Sequence, residues 1–251
     1  MSFNGPRILC QFLRRELLGL ADLCFPSVCS LCRHSLSTPA VFCSSCLEAI
    51  VPVVSPRCSR CDLPFAALDG GDHLCQSCLQ YPATFLWAKS AGLYEETLRR
   101  AVHKFKYEGD FNLDRPLAAL MKEALQGPLD DFRPDMLLPV PLYINRLRQR
   151  SYNQALLLAK SLGRSWQVPV ASSLLLRTRP TPSQIGLKAS QRRRNLRGAF
   201  ALSRPLQGER VLLVDDVMTT GATARECSRT LLDGGAGEVA VAVLARARLH
   251  G

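Results

Sequence analysis

The segment from Val211 to Thr223 constrains the fold more than any other part of this chain. Its apolar run Val211-Leu-Leu-Val214 predicts a buried parallel strand, because strands covered on both faces are continuously apolar. Asp215 and Asp216 follow at the carboxyl end of that strand, and the small residues after them open a helix. This order of elements predicts an α/β fold built on an open parallel sheet.

The turn after the acidic pair is made of small residues, namely Thr219, Thr220, Gly221, Ala222 and Thr223. Unpaired backbone N–H groups and the helix dipole favour a phosphate at such a helix N-terminus. The carboxylates of Asp215 and Asp216 suit the hydroxyls of a polyol or a bound Mg²⁺. We therefore expect a ligand with a phosphate near vicinal hydroxyls, such as a ribose 5-phosphate. An ordinary acidic loop after a buried strand is the alternative.

Eight of the eleven cysteines form four C-x-x-C pairs, namely Cys29 and Cys32, Cys43 and Cys46, Cys58 and Cys61, and Cys75 and Cys78. Each pair can present two thiolates to a tetrahedral metal, so the four pairs predict two closed, structural zinc sites. Disulfides are disfavoured because no secretion signal is evident, and a redox C-x-x-C normally occurs once. Sequential and cross-braced pairings both remain open. The metal would supply the folding free energy of the short cysteine-bearing segment, which we call the zinc ribbon. We therefore expect Cys58→Ser to unfold this ribbon, and we expect it to spare ribose-phosphate binding.

Positive charge is concentrated in one part of the chain. Residues 136–208 contain thirteen Lys or Arg and no Asp or Glu, whereas the whole chain has a net charge of +11. This asymmetry predicts a lobe that binds anions, either pyrophosphate, nucleic acid or both. Two groups of arginines stand out: Arg146, Arg148 and Arg150, and then Arg192, Arg193, Arg194 and Arg197.

The first arginine group lies in a segment predicted to be a loop after the strand 135–141, where forked guanidinium donors suit a pyrophosphate. The second lies in the long polar segment 177–197, which would form a basic lid over a phosphorylated substrate or lie along a nucleic-acid backbone. Both groups also fit a merely solvated surface.

The remaining periodicity predicts a strand over 88–94, a helix over 95–107, and a helix over 114–125 that ends at Gly127-Pro128. Lys104 and Lys106 fit a solvated helix end and a phosphate contact equally well. No apolar run reaches the ~18 residues of a spanning helix, so we expect a cytoplasmic protein that does not span a membrane.

The central segment, the strand order and the cysteine pairs together resemble the ComF/GntX-like family, whose members carry a zinc-ribbon segment before a type I phosphoribosyltransferase fold. The central segment itself resembles the phosphoribosyl-pyrophosphate (PRPP) motif of those transferases. Further matching residues are Lys104-Phe-Lys-Tyr107 with Gly109-Asp110, Pro139-Val-Pro141, Arg150 with Tyr152-Asn-Gln154, Gln184, Leu187, Arg192, Asn195 and Gly198-Ala-Phe200. The family usually has Gly where this chain has Ser151.

The apolar spacing of residues 8–20 predicts a docking or core helix within residues 1–27. The resemblance implies a double zinc ribbon in 28–80 and a phosphoribosyltransferase-like domain in 88–251. It implies that Asp215 and Asp216 bind ribose hydroxyls, that Thr219–Thr223 binds the 5-phosphate, and that the 141–150 loop lies near a pyrophosphate with Mg²⁺.

The resemblance also implies a role in DNA uptake by naturally competent bacteria, through handling of single-stranded DNA. A competence helicase or other DNA-uptake proteins would be the partners. The alternative is an active phosphoribosyltransferase that acts on an unidentified nucleophile and has no DNA role.

Overall fold

The computed structural model describes residues 27–36, 40–66, 70–180 and 195–248. The predicted N-terminal helix falls outside the described residues except at its last position, and Arg192, Arg193 and Arg194 also fall outside them. The chain divides into two compact units, Met1–Ala49 and Ile50–Gly251. We describe each unit by itself.

The small unit is built around the first two C-x-x-C pairs. A bridge joins Val28 to Ser35 across the first pair, and the Cys29 amide donates to the His34 carbonyl oxygen at 2.8 Å. Helix α1 (Ser44–Glu48) begins directly after Cys43. These short elements place the two pairs side by side.

The large unit contains six strands and six complete α-helices within the described residues, and Asn195 and Leu196 are also helical. The strands are β1 (Ala88–Leu93), β2 (Met136–Pro139), β3 (Leu175–Arg177), β4 (Phe200–Leu202), β5 (Arg210–Met218) and β6 (Glu238–Arg246). The helices are α2 (Gln76–Gln80), α3 (Glu96–His103), α4 (Asp114–Phe132), α5 (Ile144–Arg150), α6 (Gln154–Trp166) and α7 (Ala222–Asp233). A π-helix (Lys104–Glu108) continues α3, and a short 3₁₀ helix (Phe111–Leu113) precedes α4.

Four strands form a parallel sheet in the order β1-β6-β5-β2, and β3 and β4 form a separate antiparallel pair. The central strands β5 and β6 pair from Arg210 with Glu238 to Met218 with Arg246. Their apolar residues are almost fully buried, as expected for strands covered on both faces. The predicted open parallel sheet is confirmed, and the acidic pair lies within the last four residues of β5.

Two predictions of local structure are wrong. Helix α4 continues through Gly127 and Pro128 to Phe132, because Gly127 has no Cβ to collide with the proline ring and so can stay helical. The segment predicted as an arginine loop is instead helix α5, which follows Tyr143 in extended backbone and ends at Ser151.

The second two C-x-x-C pairs belong to the large unit. Their four cysteines are buried in the same apolar cluster as residues of β5 and β6. Asp62, which is fully buried, accepts hydrogen bonds from the Ser90 amide at 2.9 Å and from the Ser90 hydroxyl at 2.5 Å. The second ribbon is therefore bonded directly to β1. None of the helices in the described part of the chain combines the length and apolar character needed to cross a membrane.

Candidate functional site

The turn over residues 219–223 joins β5 to α7. Gly221 is the N-cap of α7 and has a φ of 73°, in the left-handed region that side chains rarely adopt. The Thr220 hydroxyl oxygen is buried and has no hydrogen-bond partner among the described residues. A buried polar oxygen without a partner is costly, so this turn fits a ligand that supplies one.

The acidic pair lies in β5, two residues before this turn, and its two carboxylates have different environments. Asp216 is 9% exposed and forms an ion pair with Lys106, whose Nζ lies 2.8 Å from Asp216 Oδ1. Asp215 accepts a hydrogen bond from the Asp216 amide at 2.9 Å. Burial, and then the neighbouring Asp216 charge, raise the pKa of Asp215 to about 7. The two carboxylates therefore repel each other, and a cation or hydroxyl donor would relieve that repulsion.

Lys106 reaches the acidic pair from the π-helix. Burial tends to lower the pKa of Lys106, but the Asp216 charge outweighs it and holds that pKa above the usual value. The π-helix is anchored by Phe105, which is fully buried and whose carbonyl oxygen accepts a hydrogen bond from the Tyr152 hydroxyl. Of the two interpretations of Lys106, a solvated helix end does not apply, because the ammonium group lies beside a buried carboxylate.

The three arginines of the predicted anion loop separate into two faces because the segment is helical. Arg146 and Arg150 are one helical turn apart on the same face, and both are half-buried, whereas Arg148 is exposed on another face. Arg150 donates to the Tyr107 hydroxyl at 3.2 Å and to Gln154 Oε1 at 3.3 Å. The helix places Arg150 near enough to Lys106, and Arg146 near enough to Arg177, for their charges to tend to lower the pKa values of those two residues.

Ser151 takes the position at which the resembling family usually has Gly. It has a φ of 64°, which is left-handed backbone, and it ends α5. The serine therefore adopts the conformation for which glycine is the usual residue. Next to it, Asn153 caps α6 by accepting a hydrogen bond from the Ala155 amide at 3.0 Å.

Arg177 is a charged residue near the site that the sequence patterns did not single out. Burial, and then the charge of Arg146, lower its pKa, while the Asp215 charge raises it. Its guanidinium also lies over the Phe200 ring, 5.5 Å from the ring centre. Arg197, the described member of the predicted lid, is exposed, and its carbonyl oxygen accepts a hydrogen bond from Arg179 at 2.6 Å.

The cysteines form two groups with sequential pairing. The first cysteine group is Cys29, Cys32, Cys43 and Cys46, and the second cysteine group is Cys58, Cys61, Cys75 and Cys78. Within each group the sulfur atoms lie within 4.8 Å of one another.

The sulfur distances fit tetrahedral zinc. The Cys32 and Cys43 sulfurs are 3.6 Å apart, and the Cys61 and Cys75 sulfurs are 3.7 Å apart. Thiolates at the usual Zn–S distance lie about 3.8 Å from each other in a tetrahedron. Both groups therefore suit structural zinc, and a cross-braced pairing is excluded.

Comparison with known proteins matches two family models to this chain. Residues 20–79 match a double zinc ribbon domain, and residues 158–250 match a phosphoribosyl transferase domain. The second match contains the acidic pair and the 219–223 turn, which agrees with the predicted type I phosphoribosyltransferase fold.

Several whole proteins are also similar to this chain. Competence protein F of Haemophilus influenzae is 36% identical over 87% of this chain and 96% of its own length. DNA utilization protein YhgH of Salmonella typhi is 36% identical over 89% of this chain and 99% of its own length. Competence protein ComFC of Streptococcus pneumoniae is 25% identical over 87% of this chain and 99% of its own length.

Proposed function

Because this chain belongs to the ComF family, which includes competence protein F and the DNA utilization proteins, we propose that it binds PRPP or a related ribose phosphate and handles single-stranded DNA during DNA uptake. The proposal has two separable parts, one for each ligand. Cytoplasmic location and contact with a competence helicase or another DNA-uptake protein form part of the same proposal.

The buried and unpartnered Thr220 hydroxyl is the observation that carries the ribose-phosphate part. It lies in the turn at the N-terminus of α7, which follows the two carboxylates of β5 after Val217 and Met218. The turn offers amides and hydroxyls for a 5-phosphate, and Asp215 and Asp216 offer acceptors for ribose hydroxyls. Oxygen ligands of this kind also suit the Mg²⁺ that accompanies a pyrophosphate.

The cations around the pair suit the rest of PRPP. Lys106 lies 2.8 Å from Asp216, and Arg146 and Arg177 are close enough for each charge to affect the other. In a transfer reaction, these cations and a bound Mg²⁺ would stabilise the departing pyrophosphate. That arrangement supports the alternative of an active phosphoribosyltransferase, for which pyrophosphate release with a supplied nucleophile is the readout.

Thr220→Val tests the ribose-phosphate part, since it keeps the shape of the side chain and removes only the hydroxyl. A hydrogen bond to a charged phosphate contributes about 1.5–3 kcal/mol, so we expect the affinity for ribose 5-phosphate to fall by about tenfold or more. Isothermal titration calorimetry with ribose 5-phosphate, and with PRPP plus Mg²⁺, gives the readout.

Thr230→Val, on the helix α7 that follows the turn, is the matched control. The Thr230 hydroxyl already donates to the Glu226 carbonyl oxygen at 2.9 Å, so we expect this variant to bind as the wild type does. Equal affinity of Thr220→Val and the wild type for ribose 5-phosphate would show that the Thr220 hydroxyl does not contact the ligand. Absence of binding by the wild type would refute the ribose-phosphate part altogether.

The DNA part rests on charge and on exposed aromatic rings. The thirteen cations of residues 136–208 make one region strongly basic. Tyr107, which follows Lys106 in the π-helix, is 61% exposed, and Phe111, whose ring packs on Tyr152, is 53% exposed. Arg150 lies over the Tyr107 ring, 5.0 Å from its centre. A basic surface with exposed aromatic rings is typical of single-strand binding, because bases stack on such rings.

Replacing Arg192, Arg193 and Arg194 together with glutamine tests the DNA part. Each phosphate contact releases a counterion, so log K for a single strand falls with log salt by about 0.7 per contact. We expect the triple variant to bind all sequences more weakly and to flatten the salt slope by about two units if all three contact phosphates. Fluorescence anisotropy with labelled oligonucleotides at several salt concentrations measures both quantities.

A control with the same loss of charge is available outside the basic region. Arg99, Arg100 and Arg115 are exposed on α3 and α4, and replacing all three with glutamine should leave the salt slope unchanged. An equal loss in both triple variants would assign the effect to net charge. No binding by the wild type at low salt would overturn the DNA part.

A further inference from the structure

Arg246 ends β6, and only 1% of the residue is exposed. Charged side chains are almost never buried to this degree unless they are partnered. The sequence pattern around it predicts only a core strand, and nothing in the ligand site described above requires a buried arginine there. Its guanidinium donates to the carbonyl oxygen of the adjacent Ala247 at 2.7 Å, and its other partners lie in two different parts of the large unit.

On one side, Arg246 contacts the second cysteine group. Its Nε donates to the Cys61 carbonyl oxygen at 2.9 Å, and its Nη2 lies 3.8 Å from the Cys61 sulfur. Arg225 of α7 adds a second guanidinium, with its Nη2 lying 3.2 Å from the Cys78 sulfur. Four thiolates around Zn²⁺ carry a net charge of about −2, and the two guanidinium groups are placed to balance it.

On the other side, Arg246 holds the start of the 219–223 turn. Its Nη1 donates to the Met218 carbonyl oxygen at 3.0 Å and also to the Thr219 carbonyl oxygen. In a planar trans peptide the C=O group and the following N–H group point in opposite directions. Fixing these two carbonyl groups toward Arg246 therefore directs the amides of Thr219 and Thr220 away from it.

We infer that Arg246 is a positioning residue that fixes the 219–223 turn in its phosphate-binding conformation, and that the second cysteine group anchors Arg246 for this purpose. The inference rests on the proposed function only in taking a phosphate as the ligand of the turn. From the sequence alone we expect a change in the second cysteine group to spare ribose-phosphate binding. The inference predicts instead that such a change also weakens this binding, because it loosens Arg246.

The test compares Arg246→Ala and Arg246→Lys with the wild type in the full chain. Hydrogen exchange of the peptide spanning Met218 to Thr223 reports the order of the turn without any ligand. Removal of several hydrogen bonds from the guanidinium should speed this exchange by about tenfold or more in Arg246→Ala. Arg246→Lys should be intermediate, because one ammonium group cannot reach all of the carbonyl oxygens held by the fork.

Ligand binding supplies the second readout. We expect the ribose 5-phosphate affinity of Arg246→Ala to fall by about tenfold or more, with the zinc content unchanged. Methylguanidinium at low millimolar concentration should fill the vacated space in this variant and recover part of the affinity. A general loss of packing would not respond to that addition. Arg248→Ala is the control, since Arg248 is exposed and pairs with Glu95 at 2.8 Å.

The outcomes separate this inference from the proposed function. Faster exchange in the variant, together with no ribose 5-phosphate binding by the wild type, would support the positioning role and refute the proposed ligand. Unchanged exchange in both Arg246 variants would overturn the positioning role while leaving wild-type binding intact. If Arg246→Ala does not fold, Arg246→Lys gives the same two readouts.

Discussion

The double variant Asp215→Asn, Asp216→Asn should lose ribose 5-phosphate binding by at least about 100-fold, because two carboxylate acceptors are replaced by neutral amides. Hydrogen bonds to a charged group contribute about 1.5–3 kcal/mol each, so two of them account for a loss of that size. Titration calorimetry with ribose 5-phosphate measures the loss directly. Retained affinity in the double variant would show that the acidic pair does not bind ribose 5-phosphate.

Stability distinguishes this loss from unfolding. The Asp215 carboxyl has a pKa raised to about 7 in the folded protein, from 3.8, so its ionisation opposes folding. The stability contributed by the protonated form is therefore lost as the pH rises from about 4 to about 7. At about pH 8 both carboxylates of the wild type are ionised and repel each other. Asparagine at position 215 removes this repulsion, and the gain offsets the weaker contact between position 216 and Lys106.

We accordingly expect the melting temperature of the double variant at about pH 8 to remain within a few degrees of the wild type. Asp233→Asn is a suitable control, because Asp233 is exposed and pairs with Arg229 on the surface. Such pairs contribute about 0–1 kcal/mol, so this control should bind as the wild type does.

The parts of the fold that the sequence predicts correctly depend on short-range patterns. The apolar run before Asp215 predicts a buried strand. The strand β5 begins within one residue of that run but continues through the acidic pair to Met218. The C-x-x-C spacing likewise predicts the two cysteine groups, because each pair is a local turn. Their sequential pairing depends on how distant turns meet, and spacing alone could not establish it.

The helix α5 was missed because local composition and tertiary context disagree. Arginines next to a proline-rich strand end fit a solvated loop, and no cap residue marks the start of the helix. The resulting separation of Arg148 from Arg146 and Arg150 follows only from the helical period. The proposed anion site accordingly contains Arg146 and Arg150 but not Arg148, whereas the sequence prediction included all three.

The roles of Lys106 and Arg246 could not be predicted for a different reason. Both contact residues that are far away in the sequence: Lys106 contacts Asp216, and Arg246 contacts Cys61. A lysine near a helix end and an arginine at a strand end are common surface features. The parallel sheet brings Arg246 at the end of β6 beside Met218 at the end of β5, and the π-helix brings Lys106 to Asp216.

The largest effect on stability is expected from Cys58→Ser, which removes a ligand from the second cysteine group. Cys58 is fully buried, and its sulfur accepts a hydrogen bond from the Cys75 amide at 3.3 Å. Loss of a structural metal belongs to the small class of changes that exceed about 4 kcal/mol. We expect the zinc content to fall from two ions per chain to one, and the free energy of unfolding to fall by about that amount.

Cys46→Ser, the comparison variant in the first cysteine group, separates the two metal sites. It should also release one zinc ion, but that group belongs to the small unit Met1–Ala49. The second group lies in the apolar cluster that includes Val211 and Leu213 of β5. Only Cys58→Ser should therefore lower the melting temperature of the large unit. Calorimetry measures this temperature, and inductively coupled plasma mass spectrometry measures the zinc content of both variants. Fewer than one zinc ion per chain in the native wild type would contradict the two zinc sites. Equal melting temperatures of the large unit in the two variants would show that the second cysteine group stabilises this unit no more than the first does.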